Sequence, residues 1–125
     1  MSNTVLPHDH GQLPELAPER IPQEEEFQIV ADIFKQLCDR SRIRIFWILC
    51  HYEECVVNLA AMVDMTSPAV SHHLRQLKRS GLIVSRRNGK EVYYKAADTQ
   101  QAQLLHHIIE KMVEISCPSA QPYQP

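Results

Sequence analysis

Hydrophobic residues recur at helical spacing along five stretches of the chain. In the stretch 23–38, Phe27, Val30, Ala31 and Phe34 follow the i, i+3, i+4, i+7 pattern of an amphipathic helix. The same period predicts four further helices, over 41–52, 56–63, 67–79 and 99–116. Since each of these carries an apolar stripe, helices are expected to supply most of the core.

The helix predicted over 67–79 has boundary signals at both ends. It begins at Ser67-Pro68, the order of an N-cap followed by proline at the first helical position. Gly81 follows its last turn, where glycine commonly ends a helix. Only a brief turn separates it from the helix at 56–63, so the two are expected to form a helix-turn-helix.

After Gly81 the pattern becomes extended. Residues 82–86 and 91–95 are predicted strands, and Asn88-Gly89 between them is a strong hairpin signal. The predicted order is therefore α-α-α-α-β-β-α. It corresponds to a mainly α (α+β) winged helix-turn-helix fold, with the hairpin as the wing.

The two ends of the chain lack these patterns. Residues 1–22 hold four prolines and predict a flexible N-terminal arm, and 118–125 is a Pro-rich tail that cannot continue a helix. One folded domain is expected between them, at 23–117, in a chain with 44% hydrophobic and 22% charged residues. With no long apolar run and no secretory signal pattern, we expect no membrane association and a cytoplasmic location.

Basic residues are concentrated in one stretch, although the formal net charge is −2. Between Thr66 and Lys90 there are six Lys or Arg residues and no Asp or Glu, whereas eleven of the fifteen acidic residues precede Thr66. A local basic stripe on an otherwise acidic chain is typical of a DNA-binding surface. A merely solvated face usually mixes both signs, so double-stranded DNA is the expected partner.

The second helix of a helix-turn-helix places its N-terminal residues in the major groove. The hydrogen-bonding side chains expected near base edges are Ser67, Ser71, His72 and His73, with Gln76 one turn later. The cations expected to hold phosphates, on this helix and on the wing, are Arg75, Lys78, Arg79, Arg86, Arg87 and Lys90. The alternative interpretation of the two histidines is a pair of surface residues on a solvated helix.

The first and last predicted helices carry apolar stripes that together exceed what one small core can use. A single winged module covers one half-site, and repressors of this size usually dimerise on a palindrome. We therefore expect a homodimer through these two helices. The alternative is that both stripes close the core of a monomer.

Several segments together resemble the ArsR/SmtB family over roughly residues 24–116. The segment 34–45 resembles the family's approach to the second helix, and Glu53-Glu54-Cys55-Val56-Val57-Asn58-Leu59 looks like its metal box. Residues 67–75 resemble its recognition helix, and residues 81–94 resemble its wing. The resemblance implies a homodimeric repressor that a metal ion, or oxidation or persulfidation of cysteines, releases from DNA.

One metal site of the family joins the third helix to the N-terminal arm. Cys55 matches the first cysteine of the box, while Val57 and Asn58 replace its second cysteine and its aspartate. With His8 and His10 of the arm, Cys55 forms a donor set suited to Zn(II), nickel or copper. A free cysteine beside an unrelated arm is the equally weighted alternative.

The other metal site of the family lies between the last helices of two subunits. Asp98 matches its first ligand and Glu114 its last, while the intervening positions depart from the pattern. His107 and Glu110, at i and i+3, form a shifted site with Asp98 in one interpretation and part of a solvated helix face in the other.

Two cysteines support a redox interpretation. Thiol sensors of the family pair a cysteine late in the second helix with one near the end of the last helix, and Cys50 and Cys117 resemble these positions. In the alternative, Cys50 is a small apolar residue of the core and Cys117 is a tail thiol.

The leading hypothesis is a repressor that Zn(II) or another transition metal releases from a palindromic operator. The alternatives are a thiol-responsive repressor of the same fold and a regulator without a small-molecule inducer. An enzyme is not expected, because no catalytic dyad or cofactor motif is recognisable. A protein-interaction module on the same fold would be excluded by DNA binding that depends on Arg86 and Arg87.

Overall fold

The structure is a computed structural model that describes residues 7, 8, 11 and 21–117. The helices are α1 (Glu24–Gln36), α2 (Arg40–His51), α3 (Val56–Val63), α4 (Ser67–Arg79) and α5 (Gln100–Ser116), and the strands are β1 (Glu54–Cys55), β2 (Ile83–Asn88) and β3 (Glu91–Ala96). The predicted tail, 118–125, lies outside the described residues, as does most of the predicted arm.

All five predicted helices and both predicted strands are present, and the structure adds a third strand. The sheet is antiparallel with the order β1-β3-β2, and β1 aligns Glu54 with Tyr94 and Cys55 with Tyr93. A two-residue strand is too short to show alternation, so the sequence pattern gave no sign of it. β1 attaches the wing to the segment between α2 and α3.

The turn of the wing lies one residue later than predicted. Asn88 still pairs with Glu91, so Gly89 and Lys90 form the two-residue connection rather than Asn88 and Gly89. Gly89 has a φ of 67°, a left-handed conformation that glycine adopts without strain at the first position of such a turn. Both strands are therefore one residue longer than predicted, at six residues each.

Side chains and backbone turns close the ends of the helices. Asp39 caps α2 by accepting a hydrogen bond from the Arg42 amide at 2.9 Å. The cap of α4 is Thr66, whose hydroxyl accepts a hydrogen bond from the Ala69 amide at 3.3 Å. Ser67 is therefore the first helical residue and not the cap that the sequence predicts. Gly81, with a φ of 80°, follows α4 as expected, and the Leu82 amide donates to the Leu77 carbonyl at 3.0 Å.

The core lies where α2, α3 and α4 meet one another, the base of the wing and the first turns of α5. Its fully buried side chains include Ile45, Phe46, Leu59, Val70 and Leu77. These residues fix α4 against α2 and α3, which is the arrangement of a helix-turn-helix. In the part of the chain that the structure describes, none of the helices is long and apolar enough to cross a bilayer.

The first helix contributes little to this core. α1 has no buried residue, and Phe27 and Ile29 are 52% and 61% exposed. The far end of α5 is similar, since Met112 and Ile115 are 56% and 72% exposed. The apolar stripe of α1 and the second half of that of α5 therefore remain largely uncovered within one chain.

Candidate nucleic-acid interface and ligand cluster

The outward face of α4 is polar and basic. Val70, Leu74 and Leu77 turn inward, while His72 and Arg75 lie on the exposed side. Exposed residues of the predicted contact set on this helix also include Ser67, Lys78 and Arg79, and half-buried ones are Ser71 and Gln76. Arg79 and Gln76 line an open groove between α4 and α1.

Lys78 connects the recognition helix to the wing. Its Nζ donates to the Ser85 hydroxyl on β2 at 2.7 Å. The ammonium group therefore lies at the junction of the two elements that would approach DNA, and it holds their side chains in a common surface.

The wing carries three exposed cations, but one of them has an acidic partner. The Arg86 guanidinium donates to both carboxylate oxygens of Glu53, at 2.9 and 2.6 Å, and lies 5.2 Å from the centre of the Tyr93 ring. The hydrogen bond from Arg86 lowers the pKa of Glu53. Arg87 and Lys90 are exposed on the same hairpin.

His73 does not share the outward face with His72. It is only 9% exposed, and its Nδ1 accepts a hydrogen bond from Arg42 Nε at 3.1 Å. Asp39 Oδ1 lies 3.8 Å from its Nε2. Burial lowers the pKa of His73, which agrees with a neutral ring that accepts at Nδ1. The expectation that His73 reads bases is not consistent with this position, because the ring fastens α4 to the beginning of α2.

The predicted site at the arm is only partly described. Cys55 is 9% exposed in β1, directly before α3, and His8 is exposed. His10 lies outside the described residues. The Asn58 side-chain amide donates a hydrogen bond to the Glu54 carboxylate at 2.8 Å. This hydrogen bond joins two residues of the segment that resembles the metal box.

The structure separates the residues predicted as a shifted site on α5. Asp98 accepts a hydrogen bond from Gln103 at 2.8 Å, Glu114 lies 3.5 Å from Lys111 Nζ, and His107 is exposed. Glu110 faces a different histidine. Within a single chain, the combination of His107, Glu110 and Asp98 is therefore not assembled.

Glu110 instead joins His106 and His51 in a compact cluster. His106 Nε2 lies 2.8 Å from Glu110 Oε1 and 3.0 Å from His51 Nε2, and His51 Nε2 lies 3.3 Å from the same carboxylate oxygen. Burial raises the pKa of Glu110, but hydrogen bonds from the two histidines outweigh it and the pKa is lowered. Among the described residues this is the group of His, Cys, Asp and Glu side chains whose ligand atoms converge as around a metal ion. Sequence reasoning missed it, although His106 and Glu110 have the i, i+4 spacing of a shared helix face.

The two cysteines of the redox interpretation have different surroundings. Burial and the neighbouring Glu110 carboxylate raise the pKa of Cys50 to about 12, so its reactive thiolate is scarce at neutral pH. Cys117 is exposed at the end of α5.

Comparison with known proteins agrees with this architecture. Residues 39–85 match the model of the arsR family of bacterial regulatory proteins. A transcriptional repressor SmtB homolog of Synechocystis is 37% identical over 72% of this chain and 68% of its own length. A cadmium resistance transcriptional regulatory protein CadC homolog of Staphylococcus aureus is 39% identical over 61% of this chain and 64% of its own length.

A solved structure has the same fold. It is the homodimeric winged helix-turn-helix DNA-binding domain of a possible ArsR-family regulator from Mycobacterium bovis, with a TM-score of 0.68 and 24% identity. The match covers 80% of this chain and 92% of that domain. The predicted winged helix-turn-helix fold is thus confirmed.

The fold and its basic reading face define a DNA-binding transcription regulator of the winged helix-turn-helix class rather than an enzyme. Within that class, the chain belongs to the ArsR family of bacterial regulatory proteins, and its relatives support the function of a transcriptional repressor. The family resemblance predicted from the sequence is confirmed.

Proposed function

We propose that the protein binds a palindromic operator in the cytoplasm as a homodimer, and that Zn(II) or another transition-metal ion releases it. The observation that carries the DNA-binding part is the acid-free stretch 66–90, which folds into a single unit of α4 and the wing. The hydrogen bond from Lys78 to Ser85 keeps these two elements in one surface.

Within this surface we assign different roles to the side chains. Ser67, Ser71 and His72, near the beginning of α4, are placed to contact base edges in the major groove, and Gln76 follows at its side. The cations that would hold the phosphate backbone are Arg75, Lys78, Arg79, Arg86, Arg87 and Lys90. His73 is left out of this set because it is buried.

The proposed dimer uses the uncovered apolar faces of α1 and the end of α5. Water-exposed stripes of this kind are common where a second subunit packs, and the similar domain from Mycobacterium bovis is homodimeric. Phe27→Glu should give a monomer that remains folded, because Phe27 is half exposed and α1 buries no residue within one chain. Light scattering measures the change, and Val57→Glu, at a 66% exposed position on α3, is the matched control.

The metal part of the proposal is supported by the relatives, one of which is a cadmium resistance regulator. The candidate site from the sequence is Cys55 with His8 and His10. A mobility shift with the protein's own promoter and a panel of Zn(II), Cd(II), Ni(II), Cu(I), As(III) and a persulfide tests the effector. Release by the persulfide alone would favour the thiol-responsive alternative, and release by none would favour a regulator without an inducer.

The wing assignment is tested by removing its cations. Arg86→Ala with Arg87→Ala should weaken binding to all DNA sequences and reduce the slope of log K against log salt by roughly 1 to 2, since each lost phosphate contact contributes about 0.9 and Arg86 already pairs with Glu53. Lys111→Ala, which removes an exposed cation on α5, should leave the slope unchanged. Unchanged binding in the double variant would disprove the wing assignment.

A further inference from the structure

We propose that His51, His106 and Glu110 form a site for a divalent transition-metal ion of the zinc class, and that the bound ion fastens α2 to α5. The metal-binding half of this proposal stands on the cluster alone. Its regulatory half, that the ion weakens operator binding, rests on the proposed DNA-binding function.

The spacing of the three ligand atoms fits a small metal ion. The pairs of atoms are separated by 2.8, 3.0 and 3.3 Å. Around a tetrahedral Zn²⁺, with ligands at about 2.0–2.1 Å, neighbouring ligand atoms lie about 3.3 Å apart. Movements of a few tenths of an ångström would therefore complete the coordination, and two imidazoles with one carboxylate are donors that Zn²⁺, Ni²⁺ and Co²⁺ accept.

Hydrogen bonding alone leaves a conflict among these three groups. An imidazole Nε2 is either a donor or an acceptor. If both histidines donate from Nε2 to Glu110 Oε1, their two N–H groups oppose each other at 3.0 Å. If one Nε2 is deprotonated, it gives up its hydrogen bond to the carboxylate. A cation that accepts a lone pair from all three atoms removes the conflict and balances the charge of Glu110.

The elements around the cluster hold its rings in place. His51 is the last residue of α2, where Trp47, one turn earlier, lies 4.2 Å from it between ring centres. The His106 ring meets that of His51 edge to face at 4.7 Å. His106 and Glu110 are one turn apart on α5, so a single helix supplies two ligands in a fixed relation. The side chain of His51 is 15% exposed and that of Glu110 is 37% exposed, which leaves the ion a route from solvent.

Occupation of this site has a structural route to the DNA-binding surface. α2 contacts α4, which reads DNA, and β3, which belongs to the wing. α5 carries at its far end the apolar face proposed for dimerisation. An ion that fixes α2 to α5 therefore fixes the reading elements relative to the partner subunit, and a ligand shifts DNA affinity when it favours one such arrangement.

The test begins with metal binding in the absence of DNA. Zinc titrations of the untagged full-length Cys55→Ser chain, which lacks the candidate site at the arm, should give one ion per chain by calorimetry with a chelator competitor. His51→Gln, His106→Gln and Glu110→Gln should each weaken binding about 100-fold, at the upper end of losses seen when even an outer partner of a metal ligand is removed. His107→Gln and Glu114→Gln, neighbouring residues on α5, should remain near wild type. Circular dichroism and the melting temperature show that each variant is folded.

Co(II) spectroscopy tests the site without relying on the folding of every ligand variant. With Co(II) as the probe, the Cys55→Ser chain should have a tetrahedral ligand-field spectrum without a thiolate charge-transfer band, and adding His106→Gln should abolish it. Wild-type affinity in His106→Gln, equal losses in His107→Gln, or loss of the ion in Cys55→Ser would overturn the metal site.

Fluorescence anisotropy with the operator then tests the regulatory half. Zinc should lower the DNA affinity of the wild type at least about 10-fold, as a coupling between sites of typical strength does. In the Cys55→Ser chain, which lacks the candidate site at the arm, zinc should still lower DNA affinity, and adding His106→Gln should remove this effect. Tight zinc binding at the cluster with unchanged DNA affinity would overturn only the regulatory half. If the metal-free wild type does not bind the operator at all, that result counts against the proposed function instead.

Discussion

Two helices of the protein each carry a pair of adjacent histidines, and each pair divides in the same way. On α4, His72 is exposed and His73 is buried. On α5, His107 is exposed, whereas His106 is half buried and faces α2. Adjacent residues on a helix are about 100° apart, so one ring of such a pair faces the protein while the other faces solvent.

The partners of the inward ring decide what it can do. His73 accepts at Nδ1 from a donor, the Arg42 guanidinium, and so joins two helices, while burial lowers the pKa of its ring. The His106 Nε2 meets an acceptor, the Glu110 carboxylate, and the Nε2 of a second imidazole, so three potential ligand atoms lie together. The same dipeptide thus provides a structural contact in one region and a candidate metal site in the other.

The largest effect is expected from removing His72, the outward histidine of the α4 pair. His72→Ala should lower affinity for the operator about 10- to 100-fold, since a side chain at a base edge contributes about 1–3 kcal/mol of discrimination. Its melting temperature should not change, because the side chain is exposed. Anisotropy with operator and with unrelated DNA measures both affinities. Equal losses on the two DNAs would contradict a base-reading role.

A smaller effect is expected from Asp39, whose carboxylate lies 3.8 Å from His73 Nε2. Asp39→Ala removes the cap of α2 and should lower the free energy of unfolding by about 1 kcal/mol. Urea denaturation measures the change. Asp39→Ser keeps a capping oxygen and should recover most of the loss. If both variants lose the same stability, the capping bond is not the cause.

The smallest expected effect is a dependence of stability on pH. Burial lowers the pKa of His73 below the ordinary 6.5, so the unfolded chain binds a proton more readily than the folded one. The contribution of His73 to stability is therefore present above pH 6.5 and is lost as the pH falls through the folded pKa, when protonation of Nδ1 breaks the bond from Arg42. Melting temperatures from pH 7.5 to 5 measure this, and His73→Gln, which still offers an oxygen to Arg42, should flatten the decline. A parallel decline in both proteins would assign it to other groups.

Much of the fold was predictable because its signals are local. Helical periodicity, the hairpin signal around Gly89 and the glycine after α4 each act within a few residues, and the structure contains the elements that they predict. The cap of α4 was assigned to Ser67 instead of Thr66, because both side chains are suitable and only geometry separates them. Proline fits the second helical position as well as the first, because the first four backbone amides of a helix have no acceptor within that helix.

The candidate sites were less predictable because they depend on contacts between distant segments. His51 and Glu110 are 59 positions apart, and nothing near His51 in sequence marks it as a ligand. On α5, the choice of His107 over His106 followed the i+3 spacing to Glu110, although i+4 is equally compatible. Ala102, Leu105 and Ile109 pack toward the core, and His106 borders that stripe. Recognition of this packed face would have favoured His106.

The ion pair between Arg86 and Glu53 has a consequence for how the wing meets DNA. The Glu53 carboxylate binds the Nε and Nη2 donors on one edge of the guanidinium, so a phosphate must compete with it for that edge or bind the edge that includes Nη1. The positive charge of Arg86 is therefore already partly compensated before DNA binds, while Arg87 has no acidic partner among the described residues. Arg86 therefore contributes less to affinity than its charge suggests. In the free protein, the exchangeable pair also keeps the hairpin fastened to the segment that begins two residues after His51.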